Sequence, residues 1–269
     1  MPIQTIEPRR LYRQIADQLR ALIDAGVFAL GSRLPPERDL AVQLGVSRPS
    51  VREALIALEV EGLVEVRMGS GIYVQPELPA TRTAQAAAPV TGEGPLETIR
   101  ARQLIESELA ALAAERMSAA QVKGLREALA LMKRDAAGGK EPTAGDRLFH
   151  LRVAEAADNS VLLRLVTGLF DERHNPLFQQ LGSHFETAQS WAIALEEHRA
   201  VLEAIAAHSP AKARSAMRRH LVNSHDRFTA GWPAAEPVAP STASRAARAS
   251  RGTSADIKTP ARRATRVVA

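Results

Sequence analysis

The stretch "LPPERDLAVQLGVSRPSVREALIALEVEGLVEVRMGSGIYV", residues 34–74, decides the fold of the N-terminal part of the chain. Its two adjacent prolines open a short predicted helix over 36–44, and Gly45 ends that helix. Ser47 is a good N-terminal cap for a second helix over 48–61. The segments "LVEVR" and "GIYVQ" alternate apolar and polar residues around "MGS", which is typical of a two-stranded ribbon. With the amphipathic segment 9–25 in front, this order predicts a winged helix-turn-helix.

That motif indicates how the chain would meet double-stranded DNA. It places the N-terminal end of its second helix in the major groove, where arginine binds guanine and hydroxyl groups suit phosphates. A single arginine here is more simply a solvated surface residue, but an ordered set on helix, turn and ribbon favours DNA contact. We therefore expect DNA contacts from seven residues: Arg38, Ser47, Arg48, Ser50, Arg52, Arg67 and Gly69.

Composition limits the remaining possibilities. The 269 residues suffice for two modest domains, and 45% hydrophobic but only 4% aromatic content, rich in Ala and Leu, favours helices packed on helices. With no cysteine, any metal site must use His, Asp or Glu. No long apolar run or signal core is present, so we expect a soluble cytoplasmic protein without a membrane partner.

The net charge of +5 does not by itself argue for DNA binding. Residues 231–269 contain seven Arg or Lys and two Asp or Glu, whereas residues 1–230 contain equal numbers of both signs. The DNA interpretation therefore depends on the positions of the arginines and not on the overall charge.

Four segments follow from the patterns along the chain. Residues 1–76 are the predicted winged helix-turn-helix domain, and residues 77–95, rich in Ala, Pro, Thr and Gly, are a linker. Residues 96–230 form a helical domain, and residues 231–269 a disordered basic tail with few large apolar groups. Within the helical domain, helices are predicted over 96–116, 119–135, 143–157, 160–180, 187–208 and 210–229.

The helical domain carries a candidate metal site. Asp146 and His150 are four residues apart in "GDRLFHLRVAEAADNS", so they share one face of a helix. His198 in "LEEHRAVLEAI" and His220 in "AMRRHLVN" also lie inside amphipathic helices. One carboxylate and three imidazoles suit a divalent metal with open coordination positions. Each histidine alone is more simply a satisfied core residue, and the sequence does not establish that the three helices converge.

The quoted stretch resembles the DNA-binding domain of the GntR superfamily of bacterial transcription regulators, over about residues 9–75. By that resemblance Arg38, Ser47, Arg48, Arg52 and Gly69 contact the operator. Pro49 stands where many relatives have a side-chain donor, which puts one contact in doubt.

The order "D…FH…N", "EH…I" and "M..HL" resembles the FCD ligand-binding domain of the FadR subfamily. The resemblance implies an all-helical antiparallel bundle in which Asp146, His150, His198 and His220 hold a divalent metal, zinc first, with nickel, manganese or iron as alternatives. It also implies an effector contact from Arg102, whose simpler role is an ion pair with Glu106. Asn159 matches a family asparagine, with a helix cap as the alternative.

The segments "GPLETIRARQLIES" and "ERHNPLF" resemble the hexuronate-utilisation repressors of that subfamily. The resemblance implies galacturonate or glucuronate as inducer, with Arg173 and His174 as contacts or as helix-end residues. A homodimer would read a palindromic operator through its two-fold symmetry. The alternatives are a regulator of another hydroxy acid, such as lactate or an aldonate, and a metal-dependent enzyme, for which no general base is evident.

Overall fold

The N-terminal part is a three-helix unit with a ribbon, in a computed structural model that describes residues 10–76 and 92–230. Ser47 caps the third helix by accepting a hydrogen bond from the main-chain N–H of Ser50, and Gly45 ends the second in the left-handed region with φ 65°. The predicted winged helix-turn-helix is confirmed. Its elements are α1 (Leu11–Asp24), α2 (Glu37–Leu44), α3 (Arg48–Val60), β1 (Val64–Arg67) and β2 (Gly71–Val74).

The two strands of the ribbon run antiparallel, with Val64 opposite Val74 and Arg67 opposite Gly71. Gly71 has φ +122°, and a Cβ there would lie 2.5 Å from the guanidinium of Arg33. The positive φ requires glycine at this position, because a side chain would be strained there. The ribbon tip also passes close to the side chain of Arg33.

Seven helices form the second part, and the residues described are mainly α-helical, as predicted. Apart from the helix over 176–185, whose buried apolar residues belong to a second core, their apolar faces meet in one core that includes Phe149, Phe170 and Met132. The helices are α4 (Pro95–Arg116), α5 (Ala119–Ala137), α6 (Thr143–Glu155), α7 (Ser160–Asp171), α8 (Pro176–Phe185), α9 (Ala188–Ala206) and α10 (Pro210–Thr229).

The single helix predicted over 160–180 is wrong. α7 ends at Asp171, a 3-10 turn covers Glu172–His174, and α8 starts at Pro176. A proline ring disfavours helical backbone in the preceding residue, and Asn175 is extended with ψ 147°. Asn175 then caps α8 by accepting a hydrogen bond from the N–H of Phe178.

A second apolar core joins the two parts. It contains Leu55 and Leu58 of α3 together with Phe178, Phe185 and Phe228 of the helical part. All described residues belong to one compact unit. Most of the predicted linker and the whole predicted basic tail lie outside the described residues, so those predictions are not tested. None of the helices in 10–76 and 92–230 has the length and apolarity that a membrane crossing requires.

Candidate effector site and DNA-facing surface

Four predicted metal ligands come together in the helical core. Asp146 and His150 lie on α6, His198 on α9 and His220 on α10. All four are buried, and one donor atom from each lies within 4.8 Å of the others. The three helices thus converge, which the sequence alone did not establish.

The imidazole rings are oriented so that Nε2 atoms face the centre of the cluster. His150 Nε2 lies 3.1 Å from His198 Nε2, which is 3.0 Å from Asp146 Oδ1. Tetrahedral zinc with bonds of about 2.0–2.1 Å places two nitrogen ligands about 3.3 Å apart. The spacing therefore fits ligands that share one divalent cation.

The Nδ1 atom of each histidine has its own partner outside the cluster. His150 donates to the carboxylate of Glu106, His198 to the carbonyl oxygen of Ala194 at 2.7 Å, and His220 to Glu197 at 2.8 Å. Such partners fix the tautomer and leave the Nε2 lone pair free for a metal.

Charge states also suit a cation. Burial lowers the pKa of His150, and lowers that of His220 to about 3, so both rings are neutral. Burial raises the pKa of Asp146, but the adjacent His198 and His150 bring it well below its usual value. A carboxylate beside the neutral imidazoles of His150 and His220 suits Zn²⁺ and similar ions.

A small space, here called the inner chamber, adjoins the cluster at Asp146 and His220. It has a volume of about 30 Å³, and Arg102, Arg173 and Trp191 also line it. That is about the volume of one water in the liquid.

Two unpaired donors lie at this chamber. Arg102 pairs with Glu106 at 2.6 Å and stacks 3.8 Å from the ring centre of Phe170, yet its Nη2 is buried without a hydrogen-bond partner. The indole Nε1 of Trp191 is also buried and unpartnered. Buried donors without partners are uncommon, so both point to a ligand with acceptor oxygens. Trp191 was not predicted as a site residue, because a single tryptophan in an apolar segment is typical of the hydrophobic core.

A larger space, the outer cavity, opens on the other side of Arg173. Its volume is about 510 Å³, and His174, Arg147 and Glu186 also line it. Arg173 and Glu186 line both spaces and pair with each other at 2.7 Å.

The four predicted effector residues are thus divided. Arg102 and Arg173 line the inner chamber, and His174 lines only the outer cavity. Asn159 is exposed and caps α7 by accepting hydrogen bonds from the N–H groups of Val161 and Leu162. Its predicted role as a helix cap is therefore what the structure shows, and its effector contact stays a prediction.

The residues predicted to face DNA are mostly exposed. The side chains of Arg38, Arg48 and Arg67 are 81%, 53% and 49% exposed. Ser47 and Ser50 lie at the N-terminal end of α3, and Gly69 lies at the tip of the ribbon with φ 68°. These six positions are free to approach a duplex.

Arg52 differs from the prediction, because it is fully buried. Its guanidinium pairs with Glu37 at 2.9 Å and donates to the carbonyl oxygens of Phe228 and Ala230. Four residues after Arg48 on α3, it points towards the end of α10 rather than outwards. In this conformation Arg52 joins the two parts of the molecule, and its guanidinium is not exposed at the surface that faces DNA.

Two further polar contacts join α3 to the helical part. The buried carboxylate of Glu53 accepts a hydrogen bond from the main-chain N–H of Leu96 at 2.8 Å, at the start of α4. Glu59 lies 2.6 Å from His184 near the end of α8. The helix that carries the DNA-facing residues therefore rests on the ends of helices from the second part.

Comparison with known proteins agrees with both parts of this description. Residues 11–74 match the gntR family of bacterial regulatory proteins, and residues 97–223 match the FCD domain. The chain is 39% identical over 230 residues to the Exu regulon transcriptional regulator of Escherichia coli K12, a match covering 82% of this chain and 85% of that protein.

Two other relatives from the same organism are similar over most of their length. The Uxu operon transcriptional regulator is 39% identical over 224 residues, which cover 82% of this chain and 87% of the relative. The putative L-lactate dehydrogenase operon regulatory protein is 35% identical over 226 residues, which cover 80% and 84%.

Proposed function

Because the chain belongs to the gntR family of bacterial regulatory proteins and is a DNA-binding transcription regulator, not an enzyme, we propose that it represses genes of hexuronate breakdown. A hexuronate bound at the inner chamber, reaching into the adjoining space, would release it from its operator. The observation that carries this proposal is the chamber itself, where a metal-type cluster of one Asp and three His meets unpaired buried donors.

The proposed effectors, galacturonate and glucuronate, combine one carboxylate with several hydroxyl groups. A guanidinium binds a carboxylate with two parallel hydrogen bonds, and Arg102 and Arg173 are both at the chamber. The indole N–H of Trp191 suits a hydroxyl oxygen. Two relatives named for the Exu regulon and the Uxu operon support the choice of a hexuronate.

A divalent cation held by the Asp146, His150, His198 and His220 cluster is part of the proposal, with zinc as the first choice and nickel, manganese or iron as alternatives. When bound, it would offer an open coordination position to a carboxylate or hydroxyl oxygen. Glu106 and Glu197 would keep His150 and His220 oriented through their Nδ1 atoms.

Two copies of the chain would bind DNA together. A homodimer matches a palindromic operator, each α3 entering one major groove. Arg48 would read base edges, Ser47 and Ser50 would hold phosphates, Arg38 would contact the backbone, and the wing with Arg67 and Gly69 would approach the minor groove.

The chamber and the DNA-facing surface are joined by direct contacts. Phe228 and Phe185 line the inner chamber, and the Arg52 guanidinium lies 5.3 Å from the ring centre of Phe185. Arg52 donates a hydrogen bond to the carboxylate of Glu37, which also accepts a hydrogen bond from Arg48 at 3.1 Å. An effector that moves either phenylalanine would favour a different position of Arg48. It shifts the population only by its differential affinity for the two states.

The second candidate is a regulator of the same kind that responds to L-lactate or another hydroxy acid. The relative named for an L-lactate dehydrogenase operon supports it. The cluster and the arginines suit any α-hydroxy acid. The choice between a hexuronate and L-lactate therefore depends on the size of the ligand that the site accommodates.

Binding calorimetry tests the proposal. Galacturonate, glucuronate, gluconate and L-lactate are titrated into zinc-loaded wild type, His198→Asn and His208→Asn. His208 lies outside the cluster, so its variant makes the same chemical change as a control. We expect a uronate alone to bind wild type and the control and not His198→Asn. Binding of lactate alone would favour the second candidate, and equal binding to all three proteins would contradict the chamber as the site.

A further inference from the structure

The inner chamber and the outer cavity are separated by one ion pair. Arg173 and Glu186 are the two residues that line both spaces, and Arg173 Nη2 lies 2.7 Å from Glu186 Oε1. The space on the cluster side is about 30 Å³ and the space on the other side about 510 Å³. The pair therefore forms the partition between a water-sized chamber and a cavity large enough for a ligand.

The inner chamber alone is too small for a sugar acid while this partition stays closed. Small-molecule pockets usually have volumes of roughly 300–1,000 Å³. The inner chamber, at about 30 Å³, is far below that range, whereas the two spaces joined would lie within it. A ligand that fills both spaces requires Glu186 or Arg173 to move.

Of the two residues, Arg173 is the more firmly held. Its guanidinium lies 5.0 Å from the ring centre of Phe178 and 5.9 Å from that of Trp191, and both aromatic side chains are buried. Glu186 follows the last residue of α8, where the chain has left the helix with ψ 117°. Its carboxylate accepts a hydrogen bond from Arg173.

We propose that Glu186 occupies, on Arg173, the position that the carboxylate of the effector takes. Binding then exchanges one carboxylate for another on the same guanidinium, and it joins the two spaces as Glu186 leaves. This inference rests on the proposed function, because it explains how a regulator that responds to a sugar acid would recognise the carboxylate of that acid.

The exchange explains selection for acids. The carboxylate of an acid breaks the ion pair between Glu186 and Arg173. It then forms an equivalent charge-assisted hydrogen bond with the same guanidinium. A neutral sugar would leave Arg173 buried without a negative partner, which is costly. Burial raises the pKa of Glu186 despite Arg173, so this carboxylate is poorly solvated where it lies and regains water when it moves out.

Calorimetry on Glu186→Gln tests the exchange. Glutamine keeps the size of the side chain but removes the charge that competes for Arg173. The control is Glu115→Gln, because Glu115 is exposed, lines neither space, and its variant changes the net charge equally. The probes are D-galacturonate, D-glucuronate, L-lactate and neutral D-galactose.

We expect Glu186→Gln to bind the acid that wild type binds about ten-fold more tightly, since glutamine no longer offers Arg173 a competing charge-assisted hydrogen bond. Glu115→Gln should stay within about two-fold of wild type, a range set by exposed charges. D-Galactose should gain no affinity in either variant. Equal or weaker acid binding by folded Glu186→Gln, or the same gain in Glu115→Gln, would overturn the exchange.

The experiment separates this inference from the function on which it rests. Which acid binds wild type tests the choice of effector, whereas the ratio of variant to wild type tests Glu186 with whichever acid binds. Binding of no acid to any of the proteins would overturn both. Thermal melting shows whether Glu186→Gln is folded; if it is not, Glu186→Asp shortens the reach to Arg173 and should also bind the acid more tightly.

Discussion

Arg52 donates a hydrogen bond to the main-chain carbonyl oxygen of Phe228, whose side chain lines the inner chamber. One contact thus joins the helix that faces DNA to the wall of the candidate effector site. The resemblance to relatives implied an operator contact for Arg52, but the structure places it between the two parts of the chain.

Replacing Arg52 should therefore destabilise the fold. Arg52→Gln removes the buried partner of Glu37 and leaves it with the half-exposed Arg48, which should cost about 3–5 kcal/mol of unfolding free energy. Chemical denaturation measures it, and the double variant Arg52→Met with Glu37→Met should regain part of the loss. A variant with unchanged stability that has lost DNA affinity would restore the role predicted from the sequence.

Arg48 should act on DNA affinity and not on stability. Its side chain is about half exposed at the start of α3, so Arg48→Ala should weaken operator binding by about 1–3 kcal/mol. Fluorescence anisotropy with labelled operator measures this. Arg199→Ala, which removes an exposed arginine from α9, is the matched control and should bind like wild type.

Glu53 should make stability fall as the pH rises. Burial raises its pKa to about 7, against about 4.3 for an unfolded glutamate. The folded chain then binds more protons between these values, so stability is lost as the pH rises from about 4.5 to 7. Glu53→Gln should gain about 1–3 kcal/mol over wild type at pH 8 and little at pH 5. Unfolding at both pH values checks this, with exposed Glu115→Gln, at the far end of α4, as control. Equal pH dependence in wild type and Glu53→Gln would contradict it.

Trp191 should report effector binding directly. Its indole N–H is buried and unpaired at the chamber, so a bound uronate should change its fluorescence. Trp191→Phe should abolish the signal and weaken uronate binding about five- to ten-fold, the effect of one neutral hydrogen bond of about 1 kcal/mol or slightly more. Trp232→Phe removes the other tryptophan of the chain and should keep the signal. A signal lost in Trp232→Phe instead would exclude Trp191 as a contact.

Local patterns were enough to predict the winged helix-turn-helix. Ser47 and Gly45 act within one turn of the chain, and their capping roles follow from residue type. Helical spacing also placed Asp146 and His150 on one face. The break before α8 was missed, although Pro176 signals it, because the apolar period continues on both sides.

Relationships between distant residues were not accessible from the sequence. Glu106 lies 44 residues from His150, and Arg52 lies 176 residues from Phe228. Neither partner has a sequence signal, because such pairing depends on how helices pack. The roles of Trp191 and Glu186 were likewise not predictable, because they depend on the chamber that these residues line in the folded chain.

The most direct test of the account is release of operator DNA by a sugar acid. Labelled operator is bound to zinc-loaded protein, and galacturonate or glucuronate is titrated in while anisotropy is followed for wild type and His198→Asn. We expect a uronate to release wild type and to leave the His198→Asn complex intact. Release of both proteins at the same concentration, or of neither, would contradict a uronate sensor built on this cluster.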